Sequence, residues 1–189
     1  MKKIVLLLTS LMAAALLLSA CAPAPAPAPV ATEQPAATAA DAEASADEAS
    51  FSDFSLTTLT GDTLDQSVFS DNKLIMVNYW ATWCGPCVGE IPDLVEISKA
   101  YADKGFVIIG VLNGDDDIEG AKQFIAEKGV TYPMVQTEGP FLSYAKDIYA
   151  IPTTMFFDSN GKQIGETIVG AMIHDDWVGL IELLLGQVS

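Results

Sequence analysis

Val77-Asn78-Tyr79-Trp80-Ala81-Thr82-Trp83-Cys84-Gly85-Pro86-Cys87 runs out of an apolar segment into a pair of cysteines two residues apart. The segment behind it, Leu74 to Trp80, is nearly continuous in apolar residues, the mark of a strand buried on both faces of a sheet. Beyond Cys84 the pattern predicts a helix to about Lys104, with Gly105 as its C-terminal stop. Pro92 removes one backbone donor inside that helix and is expected to kink it. Cys84 then sits at a helix N-terminus, where unpaired N–H groups and the positive end of the dipole favour thiolate over thiol. The thiolate is the attacking species in disulfide exchange. Cys87, one helical turn later, is placed to close a ring with Cys84 and expel a partner's thiol. Gly85 avoids crowding at the turn, and Pro86 costs little where helix donors are unpaired anyway.

Two blander readings of the pair exist. Structural zinc requires four ligands, but the chain has three cysteines and one histidine and no second Cys-x-x-Cys. A purely structural disulfide fits the reactive setting poorly. No metal site is expected, and no cofactor beyond a redox-active Cys84–Cys87 disulfide.

Further along, Phe106 to Leu112 reads as a second buried strand and Asp117 to Lys128 as a helix ended by Gly129. Tyr132 to Val135 is a short extended piece and Phe141 to Ile148 a short helix. Thr153 to Phe157 and Gln163 to Val169 are strands joined by the turn Asp158-Ser159-Asn160-Gly161, an antiparallel hairpin. An amphipathic helix from about His174 to Leu185 follows. Upstream, Phe54 to Thr57 alternates like a strand and Gly61-Asp62 turns the chain before Thr63-Leu64. Strands alternating with helices, then a hairpin and a helix, give an α/β domain with a mixed sheet over residues 51–189.

Before residue 51 the character changes. Lys2-Lys3 precedes an apolar run from Ile4 to Leu18, a secretory signal too short for a comfortable membrane span. Its ending, Leu18-Ser19-Ala20-Cys21, resembles the bacterial lipobox, which implies cleavage before Cys21 and lipid on its thiol. Residues 1–20 are thus expected to be a lipoprotein signal peptide. Residues 22–50 are almost all Ala, Pro, Ser, Thr, Asp and Glu and cannot bury enough apolar surface to fold. They read as a tether reaching roughly 30 Å as a coil and about 90 Å when stretched. With Cys21 lipidated, Cys84 and Cys87 are the one pair left for a disulfide.

The 189 residues are 50% hydrophobic yet carry a formal net charge of -16, with no arginine anywhere. Nucleic-acid binding needs a basic footprint and is set aside. The acidity serves solubility first.

The run Val77 to Cys87, followed by Glu90-Ile91-Pro92, resembles the TlpA/ResA-like branch of the thioredoxin superfamily. So does Ile151-Pro152-Thr153-Thr154 ahead of a strand, which is similar to the superfamily's cis-proline loop. The resemblance covers about residues 51–189. It implies a thioredoxin-like fold, a central mixed sheet flanked by helices, with an N-terminal β-hairpin and a central α/β insertion over Asp115 to Pro133. It implies that Cys84 is the nucleophile, Cys87 the resolving thiol and Pro152 the cis-proline facing them, with Trp83, Gly85, Pro86 and Ile151 around the pair. Thioredoxin itself carries an acid six positions before the nucleophile, where this chain has Asn78. The branch instead places an acid three residues after the second cysteine, here Glu90. The partners implied are protein thiols and disulfides, with a membrane-borne electron donor, on the extracytoplasmic side of a membrane.

On a helix Glu90 lies three residues beyond Cys87, so its carboxyl is expected to approach the pair, to be partly buried and to exchange a proton with Cys87. Asn113-Gly114-Asp115-Asp116-Asp117 fails the EF-hand pattern at Ile118 and Phe124 and is expected to cap the next helix. His174 has no pairing with Cys84 in the motif. Trp83 is expected to abut Cys84, Trp80 to lie in the core, and Trp177 to pack or face the surface. A redoxin-type peroxidase is a rival, though the chain lacks a Pro-x-x-x-Thr loop around a lone cysteine. So is a binding lipoprotein without enzymatic activity, which would have little use for both cysteines.

Overall fold

A computed structural model of the protein describes residues 51–188; the expected signal peptide, Cys21 and the tether lie outside them. Among the described residues seven strands and five helices follow one another. They are β1 (Ser55–Thr57), β2 (Thr63–Asp65), α1 (Ser67–Ser70), β3 (Leu74–Trp80), α2 (Gly85–Tyr101), β4 (Phe106–Leu112), α3 (Ile118–Lys128), β5 (Met134–Gln136), α4 (Pro140–Ala145), β6 (Thr153–Asp158), β7 (Gln163–Val169) and α5 (His174–Gln187). β1 and β2 form a small antiparallel sheet, and the other five strands form a mixed sheet ordered β5-β4-β3-β6-β7. β3 runs parallel to β4 and antiparallel to β6, so the strand leading to the cysteines is the middle one.

Every residue of β3 is buried, as its apolar run requires. Side chains alternate across a strand, and here they feed two separate cores. Leu74, Met76 and Trp80 of β3 join Phe106, Ile108, Phe156, Ile91, Leu94, Trp177 and Ile181 beneath α2, α3 and α5. Ile75, Val77 and Tyr79 join Ile109, Val111, Phe157 and the aromatic group Phe51, Phe54, Phe69 and Phe141 on the opposite face. Phe51 lies 4.9 Å from Phe157 and 4.3 Å from Phe69 between ring centres. Burying such a ring contributes about 2–3 kcal/mol, which ties the segment entering the domain to the sheet.

Several element boundaries differ from expectation for local reasons. α2 ends at Tyr101, and a 3-10 turn, Ala102–Lys104, carries the chain to Gly105 at φ 80°. The helix runs unbroken through Pro92. β5 begins at Met134 rather than Tyr132, because Pro133 has no N–H to pair and offers only its carbonyl, to Gly110. α4 is Pro140–Ala145, and the stretch to Ile148 continues as single turns. The four-residue α1 was not anticipated. Gly110 on β4 faces the α2 layer, where a Cβ would overlap the Met134 sulfur. Trp177 is wholly buried, so it belongs to the core and not to the surface.

Candidate active site

Where β3 ends, the chain turns through Ala81–Trp83 into α2, and Cys84 is the N-cap of that helix. Its sulfur accepts the Cys87 N–H at 3.3 Å, which satisfies one of the unpaired donors of the first turn. Cys84 and Cys87 are joined as a disulfide with Cα atoms 5.3 Å apart. Cys84 is 5% exposed and Cys87 fully buried, so Cys84 is the more accessible of the two but less open than a solvent-facing thiol. Gly85 and Pro86 are both exposed on the first turn.

The Ile151–Pro152 peptide is cis. The Cys84 sulfur lies 3.5 Å from the Ile151 carbonyl oxygen, which brings residues 84 and 151, distant in sequence, face to face. The Thr153 hydroxyl donates to the Ala150 carbonyl at 2.7 Å and the Gly170 N–H to the Pro152 carbonyl at 2.8 Å, fixing this loop from both sides. Among the exposed large apolar side chains, Trp83 (65% exposed) directly precedes Cys84, Tyr149 (86%) stands two residues before Ile151, and Ile173 (66%) follows Met172, whose N–H meets Glu90. Trp83 abuts Cys84 in sequence, and its indole N–H is held by the Gly114 carbonyl at 3.0 Å.

Glu90, on α2 one turn beyond Cys87, is 4% exposed and packs against the sheet. Asn78 Nδ2 donates to its Oε1 at 3.0 Å, and the Met172 N–H donates to its Oε2 at 3.3 Å. Burial pushes the Glu90 carboxyl above the usual range. The Asn78 amide, the Met172 N–H and a weaker contribution from the Trp177 indole, which closes no hydrogen bond of its own, oppose the rise; the charge on Asp93 adds to it. A buried acid with a raised pKa, one helical turn from the buried Cys87, is suited to proton transfer once that disulfide is reduced.

Sequence reasoning missed the partners of these groups. Asp115 Oδ2 takes both the N–H and the hydroxyl of Thr82, two residues before Cys84. Asp117 is the helix cap anticipated for that acidic loop, accepting the Gly120 N–H at 2.9 Å. His174 pairs with its neighbour Asp175 at 3.1 Å. Among the described residues no group of His, Cys, Asp and Glu is arranged to hold a metal ion, and no helix is long and apolar enough to cross a membrane.

Residues 44–179 match the family model described as Redoxin. The chain is similar to the thiol-disulfide oxidoreductase ResA of Oceanobacillus iheyensis, 34% identical over 143 residues that cover 71% of each protein. Among solved structures it resembles a thiol:disulfide interchange protein of the thioredoxin family from Chlorobium tepidum TLS, with a TM-score of 0.63 and 28% identity over 70% of this chain and 92% of that one. It also resembles the pneumococcal exposed lipoprotein thioredoxin of Streptococcus pneumoniae strain TIGR4, with a TM-score of 0.56 and 27% identity over 69% and 98% of the two chains.

Proposed function

The chain belongs to the Redoxin family as a ResA-like thiol–disulfide oxidoreductase, and from that premise we propose that it is an extracytoplasmic disulfide reductase of partner proteins, tethered to the membrane by lipid on Cys21. The observation that carries the exchange chemistry is the asymmetry of the pair. Cys84 caps α2 beside the Ile151 carbonyl, and Cys87 is closed off beneath it.

In the reductive direction the Cys84 thiolate attacks one sulfur of a partner's disulfide, and the other partner sulfur leaves as a thiolate. Cys87 gives up its proton to the Glu90 carboxylate and attacks the Cys84 sulfur. The Cys84–Cys87 disulfide forms and the second partner thiolate departs. The partner gains two electrons and two protons, and a membrane-borne dithiol donor restores the reduced pair. Trp83, Ile173 and Tyr149 offer apolar contact for the partner segment that holds the disulfide, and Gly85 and Pro86 leave the rim of the pair open to it. Pro152 and Ile151 form the wall against which that segment lies. The lipid anchor is supported by the lipobox-like Leu18-Ser19-Ala20-Cys21 and by the likeness to a pneumococcal lipoprotein thioredoxin.

An insulin-reduction assay tests the reading. The wild-type protein is expected to accelerate insulin precipitation by dithiothreitol, and Cys84→Ser to leave it at the uncatalysed rate. A wild-type protein no faster than dithiothreitol alone would remove the reductase.

A further inference from the structure

Asn78 stands in the middle of β3, opposite Thr154 of β6 in the antiparallel register. It is 1% exposed, and it faces the α2 layer. A primary amide nitrogen carries two hydrogens and accepts none. One goes to Glu90 Oε1 and the other to Thr154 Oγ1, each at 3.0 Å. Both hydrogens are therefore committed, and the amide plane is held by two acceptors on two different elements. Such a side chain is not filling space, because an aliphatic residue of the same size would suit the surrounding apolar layer better.

We propose that Asn78 is a positioning residue for Glu90, holding the carboxyl under α2 and keeping its ionised form accessible so that it can take the proton of Cys87. The inference deepens the role given above to Glu90 and rests on it. The Asn78 bond leaves Oε1 as an acceptor, so the proton enters and leaves at Oε2, where the opposing Met172 N–H is the longer contact at 3.3 Å. Thr154 links this holder to β6, the strand that leaves the Ile151–Pro152 loop. The groups that act on the carboxyl are Asn78 of β3, the Met172 N–H before α5, Trp177 of α5, Tyr132 before β5 and Asp93 on α2 itself, with Thr154 of β6 behind Asn78 and Cys87 one helical turn back along α2. Tyr132 feels the Glu90 charge, and its own hydroxyl, pushed up by burial and by that charge, remains neutral throughout the working range. Asp93 repels the Glu90 charge. Asn78 and the Met172 N–H are the two groups that hydrogen-bond the ionised form.

The test is the carboxyl ¹³C titration of Glu90 in reduced protein, with the signal assigned by its loss in Glu90→Gln. Asn78→Leu is expected to move the midpoint upward by about one pH unit, a tenfold gain in proton affinity. Thr154→Val, which frees the amide to swing, should move it the same way by less. In the wild-type protein the Asn78 side-chain N–H signals should titrate with the Glu90 midpoint, a readout that needs no variant to fold. The double variant Asn78→Leu/Glu90→Gln should show the pH–rate profile of Glu90→Gln alone. A midpoint that shifts in Asn78→Leu while Glu90→Gln keeps full wild-type turnover retires the catalytic role of Glu90 and leaves the holder in place. A midpoint that stays put, with Asn78 signals indifferent to pH, overturns the holder whatever Glu90 does.

Discussion

The Asp115 carboxylate accepts both the backbone N–H of Thr82, at 2.7 Å, and its hydroxyl, at 2.5 Å. A loop 33 residues downstream thereby grips the chain two residues before Cys84. Burial alone would push the Asp115 carboxyl up, but the two Thr82 donors and the Asp117 N–H together outweigh it and hold the group below its ordinary 3.8. A depressed carboxyl contributes stability that is present above the ordinary value and is lost as pH falls through the folded one. Asp115→Ala should cost about 1–2 kcal/mol in denaturant unfolding at pH 7, and the difference from wild type should shrink below pH 3.8. An equal loss at all pH values would mean the carboxylate charge plays no part.

Glu90 has the opposite sign. Its folded-state pKa is raised, so the native state holds the proton more tightly than the unfolded chain, and stability falls as pH climbs from the ordinary 4.5 through the raised value. Above that window the loss is complete and constant. Melting curves of wild type and Glu90→Gln should therefore converge in slope at high pH and diverge between those two pKa values. Subtracting one from the other isolates Glu90 from Asp65 and Asp115, which titrate lower. A flat difference would place Glu90 in an environment no different from water.

In reduced protein Cys84 should alkylate about tenfold faster than Cys87, because the first caps a helix N-terminus and keeps 5% exposure while the second is fully buried. Differential labelling followed by peptide mapping reads the ratio directly. Faster labelling of Cys87 would exchange the two roles.

How much of this was legible depended on how local each feature is. β3 and β4 were readable because strands buried on both faces are apolar throughout, and Cys84 could be placed at a helix start from a strand, a turn and Pro86 alone. The four residues of α1 are too few to show a period. The cluster of Asn78, Glu90 and Thr154 joins positions 12 and 76 apart; the register of β3 against β6 brings Asn78 to Thr154, and the packing of α2 on the sheet brings Glu90 to Asn78. Glu90 is marked by the resemblance, which places an acid three residues after the second cysteine, and its helical spacing to Cys87 agrees, whereas nothing local marks Asn78 as its partner. Asp115 stood in an acidic loop whose evident use was capping α3, and Asp117 does that. Trp177 was ambiguous because a helix pattern gives a face without saying how deep that face is buried.

The proposed anchor separates from the folded domain. Native protein should partition with membranes and release Cys21 as a lipidated N-terminal peptide, while Cys21→Ser should accumulate unprocessed, since the acyl chains supply the membrane affinity. Soluble wild-type protein with an unmodified Cys21 in mass spectra would remove the lipoprotein claim without touching the chemistry of Cys84.

The most direct measurement of that chemistry is covalent. Reduced Cys87→Ser, incubated with a disulfide-containing protein such as insulin, should accumulate a mixed disulfide that peptide mapping places on Cys84 and that dithiothreitol reverses. The wild-type protein should resolve the same species too fast to accumulate it. The account is contradicted if no adduct forms on Cys84, or if Cys84→Ser instead collects the adduct on Cys87.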